Sequence, residues 1–199
     1  GVIAEEGRYH QGLLEGRWAS YYPNGARVAE GEYRSGKETG VFSTFTQAGV
    51  RIDEVEYRQG KRHGVTRTFH ESGAVREEVE YADDVRHGMA RTYYASGAKR
   101  TAGKYANDEQ VGVWRSFREN GTSLEDMHFE AGQKDGPTTR WQPNGAKELE
   151  GSYKNDRKDG EFRYYDEDGE VSKTEEYKAG TLMRVKRYAS DRPKPVAGR

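Results

Sequence analysis

The sequence predicts an all-β fold, an elongated single-layer antiparallel β-sheet of tandem 24-residue β-hairpin repeats, and three observations predict it. First, two glycine columns step by 24: Gly16, Gly40, Gly64, Gly88, Gly112, Gly136 and Gly160 open each unit, and Gly25, Gly49, Gly73, Gly97, Gly121, Gly145 and Gly169 close its first strand. Second, two ring columns keep the same step, Tyr21, Phe45, Phe69, Tyr93, Phe117, Trp141 and Tyr165 in one, and Tyr33, Tyr57, Tyr81, Tyr105, Phe129, Tyr153 and Tyr177 in the other. Third, the segments between glycines are too short for several helical turns, and glycine is costly inside a helix. A fixed period without insertion means one small unit stacked on copies of itself.

Taken in order, residues 1–190 read as one repeat domain. Residues 1–9 form a half repeat, with Gly7 in register with Gly31, Gly103 and Gly151. Seven hairpin repeats follow over about 10–177. In each, a strand rich in β-formers, such as Val41-Phe42-Ser43-Thr44-Phe45-Thr46, leads to Asn-Gly, Asp-Gly, Ser-Gly or Ala-Gly. Asn24-Gly25 and its equivalents supply the positive φ angles of a two-residue hairpin turn. A second strand runs to the tyrosine column, and a polar, turn-forming connection of six residues leads to the next opening glycine. Thr66, Ala90 and Thr138 stand where other repeats carry Trp or Phe, and Asp84, Asp108 and Asp156 stand in a glycine column. After Tyr177 the pattern decays, with Arg184 in place of an opening glycine. Residues 178–190 form a terminal cap strand, and 191–199, with two prolines, a disordered tail.

Composition narrows the function. Hydrophobic residues are 32% and charged residues 34% of the 199, so the apolar material is confined to ring columns rather than spread through a thick core. The formal net charge of −1 gives no overall attraction for nucleic acid. There is no cysteine, so disulfide and thiolate chemistry are excluded, and no run is long and apolar enough to span a membrane as a helix. The histidines are scattered, and His63 and His87, the two that share a repeat position, are expected in turns about 10 Å apart, too far to close on one zinc. No catalytic residues, metal site or cofactor are expected, because no nucleophile motif or phosphate-binding glycine loop occurs. The chain begins with Gly1 rather than Met, in mid-repeat, which leaves bacterial cytoplasm or periplasm open and leans to the periplasm through a removed leader.

The hairpin register divides the side chains into two faces. Trp18, Phe42, Trp114 and Phe162 share one with the column ending at Tyr177. On the other, Arg67, Arg91, Arg115 and Arg163 lie beside the ring column of Tyr21 and opposite Glu30, Glu54, Glu78, Asp126 and Glu150. Arg67 falls across from Glu78, and Arg115 from Asp126. Such cross-strand pairs contribute roughly 0.2–1 kcal/mol each on a solvated face. Arginine alternating with rings also suits a partner, and the candidate contact residues are Arg67, Phe69, Arg91, Tyr93, Arg115 and Phe117.

The unit Tyr33-Arg34-Ser35-Gly36-Lys37-Glu38-Thr39-Gly40-Val41-Phe42-Ser43-Thr44-Phe45-Thr46-Gln47-Ala48-Gly49 resembles the MORN repeat, in the bacterial variant of YwqK-type antitoxins. The resemblance covers residues 7 to 180. It implies a non-catalytic immunity or antitoxin protein that neutralises a cognate toxin by stoichiometric binding. Its alternatives are a membrane or lipid-associated scaffold, a dimerisation module, or a repeat region appended to an enzyme domain elsewhere.

Overall fold

The computed structural model describes residues 3–189, so the expectations for Gly1, Val2 and the tail at 191–199 lie outside the described residues. All regular structure in this span is β. The first strands are β1 (Glu5–His10), β2 (Leu13–Tyr21), β3 (Arg27–Arg34), β4 (Lys37–Phe45), β5 (Arg51–Arg58) and β6 (Lys61–Phe69). The middle is β7 (Val75–Ala82), β8 (Val85–Tyr93), β9 (Lys99–Ala106), β10 (Glu109–Phe117), β11 (Ser123–Glu130) and β12 (Gln133–Trp141). The last are β13 (Lys147–Lys154), β14 (Arg157–Lys158), β15 (Gly160–Tyr165), β16 (Val171–Lys178) and β17 (Thr181–Arg187). They form one open antiparallel sheet in hairpin order, β14 and β15 being one strand broken at Asp159 and paired along β13.

The two hairpin connections exchange the characters predicted for them. At Asn24-Gly25 only Gly25 has positive φ, at 85°. Gly25 N donates to Tyr22 O at 2.8 Å and Tyr22 N to Ala26 O at 2.7 Å, which makes a three-residue loop, while Asn24 Oδ1 accepts from Ala26 N at 3.1 Å. The tight two-residue turn lies in the polar connection instead. Ser35 and Gly36 both have positive φ, 50° and 75°, between the paired Arg34 and Lys37. This left-handed pair recurs at every such turn. Polar residues such as Lys37, Glu38 and Thr39 are therefore strand, and so are His63 and His87, which the sequence reading placed in turns.

The predicted register nevertheless holds, with Trp18 opposite Gly31 and Ala19 opposite Glu30. The longer loop moves the register by one residue and a bulge at Val28, between the pairs Ser20–Ala29 and Tyr21–Arg27, moves it back. Across the tight turns the opening glycine makes a larger bulge. Pairing passes from Glu32–Thr39 to Glu30–Ser43, so two extra residues sit on β4, with Gly40 at φ 69°. An even shift keeps every side chain on its face. At β17 the opening glycine is Arg184, and the shift from Tyr177–Leu182 to Glu176–Arg184 takes up one residue instead of two. Val185 and Arg187 thereby come to the face that Lys186 would otherwise occupy.

The core is a thin ladder on one face. Tyr33 meets Trp18 at 5.9 Å and Phe42 at 5.3 Å, and Phe162 meets Tyr153 and Tyr177 at 5.5 Å each, all edge-on, the favoured aromatic arrangement. Gly31, Gly103 and Gly151 are required beneath these rings, because a Cβ at Gly31 would stand 2.5 Å from Phe42 and those at the other two would enter Trp114 and Phe162. Where the ring is missing the glycine is missing too. Thr66 pairs with Val55, Ala90 with Val79, and Thr138 with Met127.

Candidate partner-binding face

The opposite face is built from three parallel rows, set by strand alternation. Val41, Val65, Met89, Val113 and Pro137 form an apolar row, of which Val41, Val113 and Pro137 are exposed. Next comes the charged row, and beyond it, against the three-residue loops, the column of Phe69, Tyr93 and Phe117.

The charged row runs across the sheet as Glu54, Arg67, Glu78, Arg91, Ala102, Arg115 and Asp126, each paired with its neighbour on the adjacent strand. Arg67 Nε donates to Glu78 Oε1 at 2.9 Å and approaches Glu54 at 3.9 Å. Glu78 also accepts from Tyr93 Oη at 2.9 Å and lies 3.9 Å from Arg91. Burial works against the charged form of Glu78, but the bonds from Arg67 and Tyr93 and the charges of Arg67 and Arg91 outweigh it and hold its pKa below the ordinary value. Arg115 Nε reaches Asp126 at 3.4 Å. The predicted cross-strand pairs are thus formed, and they leave the arginines unequal. The Arg67 side chain is 40% exposed and held between two carboxylates, whereas Arg115 is 58% exposed with one.

The supply of cations along this row follows a rule that is visible only in the register. Ala19 and Ser43 stand in the arginine column of the first two full repeats, and there Arg27 and Arg51 reach in from three residues before the carboxylate to pair with Glu30 and Glu54. Glu150 receives Lys147 at 2.6 Å, Tyr165 Oη and Arg163, which together hold its pKa at about 2. On this face the rings are bridged by cations rather than stacked on each other. Arg51 lies 5.7 Å from the centre of Phe45 and 5.6 Å from that of Phe69, and Lys99 5.8 Å from Phe117. The six candidate contact residues therefore share one face, on the alternate strands β6, β8 and β10. The apolar row and the cations Lys99 and Lys104 on β9 belong to the same surface and were missed, although Ala102 breaks the carboxylate column in plain sight in the sequence.

Elsewhere the polar groups are structural. His70 Nε2 lies 3.0 Å from Tyr93 O, and His128 Nδ1 2.7 Å from Asp135 O, so each ties strand or loop backbone. Tyr22 and Tyr94 donate in the same way to Phe45 O and Phe117 O, linking each loop to the next. Near the C-terminal end, burial opposes ionisation of Glu175, yet Tyr164, Lys173 and Tyr177 donate to it and lower its pKa to about 2. Burial first, and then that carboxylate, raise Tyr164. Among the described residues no group of three His, Cys, Asp or Glu side chains is placed to hold a metal ion.

No curated protein matches the chain. Among solved structures, a GtfA/B complex bound to UDP and GlcNAc aligns at 12% identity over 63% of this chain and 22% of that one, with a TM-score of 0.26. A TcdB2-TccC3-Cdc42 structure aligns at 13% identity over 89% and 14%, with a TM-score of 0.19. The chain spans less than a quarter of either, and at such TM-scores neither likeness bears on its fold or activity. The model of the MORN repeat variant matches residues 14–35, 62–83 and 158–179, three windows that begin on the same column. Each runs from β-strand start to tight turn, the unit that the geometry repeats. Such repeats are generally non-catalytic and point to a module for binding proteins. At these three places the chain matches the model of the MORN repeat variant.

Proposed function

We propose that this protein is a bacterial immunity or antitoxin protein, which neutralises a cognate toxin by stoichiometric binding through the arginine-bearing face. The observation that carries the reading is the row of Arg67, Arg91 and Arg115 beside Phe69, Tyr93 and Phe117, held by in-cis pairs on a sheet that needs little further ordering to bind. Guanidinium and ring groups at the centre of a patch supply contact energy and charge complementarity together. The test is co-expression with toxins encoded beside the gene, followed by co-purification. Replacing Arg67, Arg91 and Arg115 by glutamate would set carboxylates against Glu78 and Asp126 and disturb the sheet itself. The double change Arg91→Gln and Arg115→Gln is the cleaner variant, and it is expected to keep the β circular dichroism spectrum while weakening protection. Full protection by a folded double variant excludes this face, and failure of the wild type against every neighbouring toxin excludes the immunity reading.

A membrane or lipid-associated scaffold has one observation of its own. Arg34, Lys37, Arg58 and Lys61 flank two successive tight turns and line adjoining hollows at that rim. Salt-sensitive binding to anionic liposomes, independent of any toxin gene, distinguishes it.

A further inference from the structure

The carboxylate column lacks an acid at Ala102 and at Thr174, and at Ala102 the neighbours define the chemistry of the gap. The column of Glu30, Glu54, Glu78, Asp126 and Glu150 places a carboxylate between successive β2-type strands, but in β9 the position is Ala102. Ala102 is paired with Arg91 on one side and Arg115 on the other. Thr174, the other such position among the described residues, is buried between Arg163 and Lys186, whereas Ala102 has arginine on both sides. Around it, β9 carries Lys99, Arg100 and Lys104 and no acidic residue, and Lys104, two residues away on the same face, is exposed.

The row also shows how such a position is filled. At Glu78 the flanking residues are Arg67 and Arg91, separated by two strand spacings, about 10 Å, and the carboxylate between them is 2.9 Å from one and 3.9 Å from the other. At Ala102 the same two spacings separate Arg91 and Arg115, whose side chains are 36% and 58% exposed. Arg91 has only the distant share of a carboxylate that Arg67 holds more closely, and Arg115 only a 3.4 Å contact. Two arginines therefore flank a methyl group, each with its guanidinium turned to a weakly held carboxylate on its other side. A carboxylate brought from outside would gain two charge-assisted partners without having to displace a tight pair. The Val113 and Phe117 side chains on β10 lie on the same face and give the carbon chain of an incoming residue apolar surface.

The geometry points to Ala102 as the seat for an acidic side chain of the bound protein, an aspartate or glutamate inserted between Arg91 and Arg115 in place of the missing rung. This rests on the reading of this face as the partner surface and gives that partner a chemical requirement, an exposed carboxylate on its contact surface.

The experiment is a titration of the whole chain with the peptide acetyl-Gly-Glu-Gly-amide and its glutamine counterpart, following arginine Nε–Hε resonances by NMR. The glutamate peptide is expected to shift Arg91 and Arg115 saturably, at least five-fold more than Arg67 and Arg163, and the glutamine peptide to leave them in place. Ala102→Glu supplies the carboxylate in cis and is expected to weaken peptide binding at least ten-fold; Arg115→Gln, which needs no new group to fit, is expected to weaken it at least five-fold. Uniform shifts over all arginines, binding unchanged in both variants, or inorganic phosphate moving the two resonances where the glutamate peptide moves neither, overturns the inference. None of these readouts uses a toxin. A chain that binds the glutamate peptide at this seat but no neighbouring toxin retains the site and loses the immunity reading.

Discussion

The repeats that carry a ring on the core face and those that lack one solve the same packing problem with different atoms. In the ring repeats Phe42, Trp114 and Phe162 lie over Gly31, Gly103 and Gly151, and the rings on either side lean on them edge-on. In the others the floor rises to Val55, Val79 or Met127, the ring shrinks to Thr66, Ala90 or Thr138, and a long cation four residues earlier covers the next tyrosine, as Lys158 also covers Tyr177 in the Phe162 repeat. Arg62 lies 4.3 Å from the centre of Tyr81, Arg86 4.2 Å from Tyr105, and Lys134 5.3 Å from Tyr153. The aspartates in the glycine column belong to the same set. Asp84 accepts from Arg62 N and Nε, Asp108 from Arg86 N and Nε, and Asp156 from Lys134 N. Departures that look independent in the sequence are one substitution made at four places. The difference teaches that this single-layer sheet conserves volume and ring coverage locally, within one pair of strands, as a stack with only nearest-neighbour contacts must.

The comparison breaks hardest at its most buried members. Phe162 is 0% exposed and Thr138, the same column in a ringless repeat, 2%. Phe162→Ala opens a cavity between two tyrosines and is expected to cost about 3–5 kcal/mol. Thr138→Ala removes one methyl-sized group and the bond from Thr138 Oγ1 to Asp126 O, and is expected to cost about 1 kcal/mol. Urea unfolding of both variants measures the gap; equal losses would mean that the ring ladder is not the core. Thr66 sharpens the contrast, because its buried Oγ1 has no partner, so Thr66→Val is expected to be neutral or stabilising where Thr138→Val is not.

A smaller effect is expected from converting one kind of repeat into the other. Gly103→Val drives a side chain into Trp114 and Trp114→Ala empties the space above Gly103, yet the two together recreate the pair of Val79 and Ala90. Each single change is expected to destabilise. The double is expected to cost less than their sum by about 1–3 kcal/mol, the coupling typical of residues in direct contact. Strict additivity in a thermal or urea cycle would show that the glycine is kept for backbone reasons and not for the ring. Adding Gln110→Arg, which supplies the cation of the ringless set above Phe129, is expected to recover a further part of the loss.

Much of this fold could be read before any coordinates. The period, the two faces, the pairs Arg67–Glu78 and Arg115–Asp126, and the glycine column opposite Trp18 all follow from alternation and one assumed turn. The turns themselves did not follow. Asn24-Gly25 satisfies a two-residue turn and a three-residue loop equally well on paper, since a glycine with positive φ ends both, and only the bulge at Val28 makes the two give the same register. The polar residues Lys37 to Thr39 looked like loop because the alternation signal needs an apolar face, and a strand at the sheet's rim has none to show. The coupling of Val55 to Thr66 across eleven residues was present in the sequence as correlated columns. It takes the bulge at the opening glycine to see that these columns touch. The candidate face divides in the same way: the arginines and rings stand out as columns, while Ala102 is informative only through what flanks it.

The least disruptive change tests the rim of the ringless set. Asp108 has a φ of 67°, a left-handed conformation that L side chains rarely adopt, in a turn position where ring repeats such as those ending at Gly60 and Gly132 carry glycine. Asp108→Gly relieves that backbone cost and removes the carboxylate that accepts from Arg86 N at 3.1 Å and Nε at 3.0 Å. The pair is exposed and worth little as an ion pair, but it fixes the guanidinium over Tyr105, where the cation–ring contact is worth about 0.5–1 kcal/mol at a surface site. Gain and loss oppose, so the unfolding midpoint is expected to move less than for either core change, while Arg86 loses its fixed place. The informative readout is therefore local. Ring-current shifts of the Arg86 side-chain protons by NMR are expected to collapse toward random-coil values in Asp108→Gly and to persist in the wild type. If they persist in the variant as well, the tyrosine alone holds the cation, and the aspartate belongs to the turn and not to the set that replaces the ring.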